Sequence, residues 1–292
     1  MFRNEILAED LGALYHTVLN VDLMPAQEDV VKTAWGKNRG LVVTYPGWGK
    51  SFLIAAYALL SAWAGPGKRV ACFSPSWRQS RIIFDYMVNI IKNSPVLMTS
   101  IRNYSIENDR WDVTFHGTHN REDQIFSNIR SFSLDGNCGR YFKGYRCHTL
   151  LIDEAINLPE NIFNTVLRPI TMTNWDPMLS VKYRSDQEKI KGLYLFSEGR
   201  RAKLLEELDT IKDINLPLGQ TLMFTGSYYK HNYVYQLYQR YLADIEHAFV
   251  KTYAWYQAPP GALDLRSVMD AKKDMPEEMF KILYECEWLE GK

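Results

Sequence analysis

Apolar residues along this chain fall into two kinds of run, and their alternation sets the architecture. Leu41-Val42-Val43, Val70-Ala71-Cys72-Phe73, Leu150-Leu151-Ile152 and Leu222-Met223-Phe224 are short and continuous, the pattern of strands buried on both faces. Trp111–Phe115 and Gln124–Phe132 also read as strands. Between them lie runs of helical length. Phe52 to Leu60 is apolar nearly all round, which predicts a helix covered on most sides. Ser74-Pro75-Ser76 caps a helix from Trp77 to about Lys92, with Ile82, Ile83, Tyr86, Met87, Ile90 and Ile91 on its buried side. A shorter helix, Ala26 to Trp35, follows Pro25. Ile6, Leu7, Leu11, Leu14, Val18 and Leu19 recur at helical spacing in an N-terminal arm that packs on the core or on a neighbour. Strands alternating with helices predict an α/β fold with a mainly parallel sheet. No internal repeat or low-complexity segment interrupts it.

Composition narrows the class. With 292 residues the chain forms one large domain, or one domain with a small companion. An apolar content of 46% with 23% charged residues is that of a soluble globular protein. No apolar run is long enough to span a bilayer, and Arg3, Glu5, Glu9 and Asp10 argue against a signal peptide. Cys72, Cys138, Cys147 and Cys286 are scattered without C-x-x-C spacing, which suits a reduced cytosolic protein better than a zinc site. The formal net charge is zero, so any nucleic-acid contact must be a local basic patch.

The chemistry concentrates where the first strand meets the first long helix. Tyr45-Pro46-Gly47-Trp48-Gly49 turns the chain, and Lys50-Ser51-Phe52 opens the helix. A glycine loop feeding a helix N-terminus gathers backbone N–H groups at the positive end of the helix dipole, a cradle for phosphate. Lys50 would reach the β- and γ-phosphates and the Ser51 hydroxyl would hold Mg²⁺. The strict pattern G-x-x-x-x-G-K-[ST] asks for glycine at position 44, where this chain has Thr44, so Gly47 is expected to supply the flexible position. A plain strand-to-helix turn is the bland alternative.

A second half of the site is expected at Leu150-Leu151-Ile152-Asp153-Glu154, an apolar strand ending in two carboxylates. Asp153 would hold the Mg²⁺ shell, and Glu154, one residue further out, would polarise the attacking water. Alone, two acids after a strand are a solvated turn; with a phosphate loop upstream they point to a nucleoside triphosphatase. Thr225-Gly226-Ser227 places hydroxyls at the carboxyl edge of the sheet, where Thr225 would sense the γ-phosphate. The Gln27 amide matches an adenine N6/N7 edge, with a surface glutamine as the alternative.

The order of motifs is Gln27, then Pro46–Ser51, Ser74-Pro75-Ser76 with Gln79, Gly144 ahead of Leu150–Ala155, and Thr225-Gly226-Ser227. In this order the chain resembles the ATPase half of the large terminase subunits of tailed bacteriophages, the motors that pump DNA into capsids. Pro276–Phe280 and Tyr284–Trp288 are similar to the helix that closes that domain before its nuclease. The resemblance implies a P-loop NTPase of the ASCE, RecA-like type with a small C-terminal helical lid, using ATP and Mg²⁺. It implies a homo-oligomeric ring, a pentamer on the capsid portal, acting on double-stranded DNA with a small terminase subunit, in the cytoplasm of an infected bacterial host and away from membranes. The expected divisions are an N-terminal helical arm (1–21), an ATPase core (22–227, with an insertion at about 171–220) and a lid (228–292). The family's nuclease is a separate domain, so no nuclease activity is expected of these residues.

Departures from the family pattern shape the expectations. Residues 44–49 lack the arginine usual in the loop, and the family's finger arginine corresponds to Lys143, with Arg140 or Arg146 as substitutes. Arg140 and Lys143 are therefore the candidate catalytic cations. Residues 156–220 are longer than the family needs, and their Lys182, Arg184, Lys189, Lys191, Arg200, Arg201 and Lys203, mixed with acids, read as a solvated face or as a DNA or subunit contact. The competing functions are a fragment of a superfamily 2 helicase-like translocase and a non-hydrolysing nucleotide-binding scaffold.

Overall fold

Strands buried on both faces must stand inside a sheet that helices cover above and below, and the apolar runs do so here. The computed structural model describes residues 10–65, 67–107, 110–116, 126–133, 145–171 and 219–291. The chain begins with α1 (Leu11–Leu19), α2 (Pro25–Trp35), β1 (Arg39–Thr44), α3 (Lys50–Ala64), β2 (Arg69–Ser74), α4 (Trp77–Asn93) and α5 (Pro95–Ser100). Then come β3 (Ile101–Glu107), β4 (Arg110–Phe115), β5 (Asn128–Ser133) and β6 (Thr149–Ile152). A helical stretch over residues 160–170 contains a π-turn at Phe163–Leu167. The chain closes with β7 (Gln220–Thr225), α6 (Tyr233–Ala243), β8 (Ala248–Tyr253), α7 (Leu265–Asp274) and α8 (Glu277–Leu283).

Among the described residues, eight strands form one sheet in the order β3-β4-β5-β2-β6-β7-β1-β8. From β5 to β8 every neighbouring pair is parallel, and β4 and β3 extend the sheet antiparallel. The strand that feeds the glycine loop, β1, is therefore separated from the acidic strand, β6, by β7. This order brings the carboxyl ends of β1, β7 and β6 into one edge, where ligands bind in folds of this type. β6 and β7 are buried at every residue, as a parallel sheet covered on both faces requires.

α3 is buried continuously from Leu53 to Ala62, which explains why its sequence is apolar all round and shows no polar stripe. Each of its fully buried Leu or Ile side chains contributes about 2 kcal/mol of apolar transfer. α1 packs on α3, α4 and α5, with Leu11, Tyr15 and Leu19 wholly buried, so the described part of the arm belongs to its own core. No described helix is long and apolar enough to cross a membrane.

One expectation changes, and two edge strands are added. α4 buries Ser80, Ile83, Phe84, Met87, Ile90 and Ile91, while Ile82 and Tyr86 are exposed. The stripe is rotated because Phe84 lies beside Trp111 of β4, with ring centroids 6.4 Å apart. β8 pairs with β1 at the edge of the sheet, so the described sheet runs to Tyr253. Its burial falls away after Ala248 and Phe249, the signature of an edge strand and the reason its sequence does not read as one. β3, an edge strand paired only with β4, also gave no sequence signal. Residues 172–218 of the insertion expected at about 171–220 lie outside the described residues, as do Cys138, Arg140 and Lys143.

Candidate active site

β1 hands the chain to α3 through a turn that needs left-handed backbone twice, and Gly47 (φ +87°) and Gly49 (φ +91°) supply it. A residue with a Cβ would cost about 1–2 kcal/mol at such a position. Thr44 ends β1 fully buried, where the strict motif has glycine. The loop is braced from two sides. Gln27 accepts from the Met24 N–H through Oε1 (3.1 Å) and donates from Nε2 to the Trp48 carbonyl (3.3 Å). A side chain at position 49 would stand 2.7 Å from that Nε2, so glycine is needed for space as well as for φ. The amide that the sequence offers to a base edge is thus engaged by the loop itself. On the other side, the buried Trp48 indole stacks on Tyr253 (centroids 5.5 Å, planes 22°). Tyr253 donates its hydroxyl to Asp29 (2.5 Å), and Lys251 pairs with the same carboxylate (2.8 Å).

Pro46 lies exposed on the loop, and Phe52 packs edge-on against Tyr86 of α4 (5.7 Å), which fixes the first turn of α3. Lys50 and Ser51 open a fifteen-residue helix, so the unpaired N–H groups of its first turn and its dipole converge on the loop. Across the edge stand the two carboxylates. The Ser51 hydroxyl donates to Asp153 Oδ2 (3.0 Å), and Lys50 Nζ lies 3.4 Å from Glu154 Oε1. Glu154 adopts left-handed backbone (φ 47°, ψ 51°), a conformation that non-glycine residues hold only where surrounding contacts enforce it. Its N–H caps Asp153 Oδ1 at 3.1 Å. Thr225, at the end of β7, accepts from the Ile156 N–H (3.1 Å) and so ties the strand between the two halves to the turn that follows the acids.

Burial, and then the neighbouring Glu154 charge, push the Asp153 carboxyl up to about 6 from an ordinary 3.8, against the opposing pull of Ser51 and Lys50. A carboxyl raised in the fold costs stability progressively as pH climbs from the unfolded value through about 6, and the cost is complete above that. It amounts to about 3 kcal/mol. Asp153→Asn should therefore melt at a higher temperature than the wild type at pH 8 without metal or nucleotide, with the gain shrinking at pH 5. Thermal melts in EDTA at the two pH values check this, and a lower melting temperature at pH 8 would contradict the burial argument.

Residues beyond 227 contact this edge. Leu263 Cδ2 would lie 3.8 Å from a side chain at Gly47. The Ser227 hydroxyl shares its hydrogen between the Ile282 (2.7 Å) and Glu287 (2.9 Å) carbonyls, and the Leu289 N–H donates to the Tyr228 carbonyl (3.2 Å). Cys286 donates to the Tyr253 carbonyl (3.3 Å); burial pushes its thiol up to about 12, so it is no nucleophile at neutral pH. Gln27, Gly49, Lys50, Ser51, Asp153, Glu154 and Thr225 thus share one edge, whereas Arg140 and Lys143 are not placed by the described residues. Tyr253, Asp29 and Leu263 are the additions that the sequence alone did not assign to the loop.

A strand, glycine turn and helix facing a buried Asp153 and a half-buried Glu154 across an intervening strand define the P-loop NTPase fold of the RecA-like type. Solved structures with this fold give the class a sharper outline. The large terminase ATPase domain of Thermus phage P74-26 superposes with a TM-score of 0.64 at 14% identity, over 94% of this chain and 97% of that one. The large terminase of bacteriophage HK97 gives 0.61 at 12% identity, over 96% of this chain and 55% of that one. A large terminase from a thermophilic bacteriophage, in complex with ADP, gives 0.53 at 9% identity, over 87% of this chain and 48% of that one. The fold of this chain is the fold of the phage large terminase ATPase domain, and the chain spans about half the length of the latter two proteins. The sequence matches no protein-family model and no curated protein sequence.

Proposed function

We propose that this chain is the ATP-hydrolysing motor domain of a viral DNA-packaging terminase large subunit, coupling hydrolysis to translocation of double-stranded DNA. The observation that carries the ATPase reading is a meeting of distant groups at the N-terminus of α3. Ser51 meets Asp153, 102 residues away in sequence, and beside them Lys50 meets Glu154. The packaging role is supported by the terminase structures that share the fold, among them complexes of the thermophilic-phage protein with ADP and with ATP-γ-S.

The donor set suits Mg²⁺. Ser51 and Asp153 offer hard oxygen ligands, and a buried carboxylate raised in pKa is a group that gains from a cation beside it. When bound, the cation would neutralise phosphate charge and orient the β- and γ-groups. The loop N–H groups and the α3 dipole bind the phosphates. Lys50 leaves Glu154 and moves to the phosphate oxygens, where it stabilises charge that builds during transfer. Glu154, released from its ion pair, accepts a proton from the attacking water through its carboxylate. Thr225 reports the state of the edge through its bond to Ile156.

Phosphate release by the purified chain with ATP and Mg²⁺ tests the reading. Nucleotide binding without turnover would favour the scaffold reading, and ATP-driven strand separation would favour the helicase one.

The loop arginine of the resembled family is absent, so a further positive group must reach the γ-phosphate from elsewhere. Arg140 is the proposed finger, acting on a neighbouring subunit in a ring, because a guanidinium fork matches phosphate oxygens better than an ammonium. Lys143 is the alternative, and Arg146 is exposed at the end of the same segment. Specific activity should then rise with protein concentration, and Arg140→Ala mixed with Lys50→Ala should regain turnover. Concentration-independent activity without rescue in any mixture would leave the trans mechanism unsupported.

A further inference from the structure

Among the described serines and threonines, buried hydroxyls are almost all hydrogen-bonded. Ser61, Ser80, Ser94, Ser127, Ser131, Thr149, Thr171, Thr221, Thr225 and Ser227 each have a partner. Among the described serines and threonines two buried hydroxyls have none, Thr44 Oγ1 and Ser74 Oγ, and both side chains are wholly buried. They end β1 and β2, at the carboxyl edge that carries the site. An unpaired buried hydroxyl is costly and calls for a partner; the Tyr15 and Tyr145 hydroxyls are also unpaired, but Thr44 and Ser74 stand at the binding edge.

Ser74 is the better placed of the two. Phe73 is in register with Ile152, and the Asp153 N–H donates to the Phe73 carbonyl (2.7 Å). Continued by one residue, this register puts Ser74 abreast of Asp153, whose carboxylate meets Ser51. The Ser74 hydroxyl makes no bond to Asp153, whose Oδ2 takes the Ser51 hydroxyl and whose Oδ1 takes the Glu154 N–H. Thr44 stands two strands away from β6 and is not abreast of Asp153.

We propose that Ser74 is a positioning residue for the divalent cation, its hydroxyl bonded to a water of the hydration shell that the cation keeps beside Asp153. Mg²⁺ dehydrates reluctantly and retains several waters, and groups in that outer shell commonly set affinity and orientation. The assignment rests on the ATP·Mg²⁺ reading above and adds to it a residue that no phosphate-loop or acidic-strand motif contains.

The test compares Ser74→Ala with Ser80→Ala, a neighbouring buried serine whose hydroxyl donates to the Phe132 carbonyl. Melting temperatures are measured in EDTA, and the Mg²⁺ midpoint is read from binding of fluorescent ADP as Mg²⁺ is titrated. Ser74→Ala should melt no lower than the wild type, because it deletes an unpaired polar group, and should raise the Mg²⁺ midpoint about tenfold. Ser80→Ala should melt lower and leave the midpoint in place. A rise of about threefold or more in the Ser74 variant, against the roughly 10–100-fold that such outer-shell changes span, supports the assignment. A smaller rise, or a fall in melting temperature like that of Ser80→Ala with an unmoved midpoint, overturns it. The Asp153→Asn control separates the two levels: if it shifts the midpoint and Ser74→Ala does not, the Ser74 assignment alone falls. If wild-type binding shows no Mg²⁺ dependence, the metal site falls and the Ser74 assignment with it.

Discussion

Lys50→Ala is expected to reduce phosphate release to background, a loss of at least ~1000-fold in turnover, while the protein still folds. Lys50 is the described cation that faces the acid pair directly, 3.4 Å from Glu154, at the first position of α3. The loop carries no arginine to share its work. Charge that accumulates on the transferring phosphoryl oxygens in a water-poor edge is stabilised by several kcal/mol per well-placed cation, and alanine supplies none of it. The fold should survive because the loop is held by Gln27, Tyr253 and the two glycines, none of which needs the ammonium. Circular dichroism and a thermal melt verify folding, and a phosphate-release assay reads the loss. Near-normal turnover in a folded variant would sink the assignment of this edge.

The legibility of this molecule in its sequence follows burial. β1, β2, β6 and β7 are buried on both faces, so their sequences are continuous apolar runs that announce them, and Lys50, Ser51, Asp153 and Glu154 stand at their ends where motif spacing finds them. β8 and β3 escaped because an edge strand needs few apolar residues: Val250-Lys251-Thr252-Tyr253 is amphipathic only in the company of β1. On α4 the period was plain and the phase was not, because Ile82 and Ile83 are equally apolar and only the aromatic neighbour Trp111 decides between faces. The loop's anchors were illegible for a different reason. Trp48, Tyr253 and Asp29 come from three separate elements, and nothing local in the sequence links them. Ser74 is harder still, since what singles it out is the partner it lacks.

Glu154→Gln should separate binding from chemistry. Glu154 pairs with Lys50, so phosphates bound at the loop compete with a carboxylate for the ammonium. Glutamine keeps the shape, removes that competition and removes a negative charge beside the phosphates. ATP·Mg²⁺ should therefore bind at least as tightly as to the wild type. Hydrolysis should nevertheless fall by ~100-fold or more, the scale of lost general-base assistance, because a neutral amide accepts no proton from water. Asp153→Asn should do the reverse. Its oxygen bonded to Ser51 is the candidate metal ligand, so nucleotide binding should lose its Mg²⁺ dependence and weaken by about 10–100-fold, with turnover falling as a consequence. Calorimetry of ATP-γ-S binding with and without Mg²⁺, set beside single-turnover hydrolysis, resolves the two variants. Equal loss of binding from both would show that the roles of the two carboxylates are wrongly divided. Unimpaired hydrolysis in Glu154→Gln would move the base to another group on the edge, with Thr225 and its neighbours the next to be replaced.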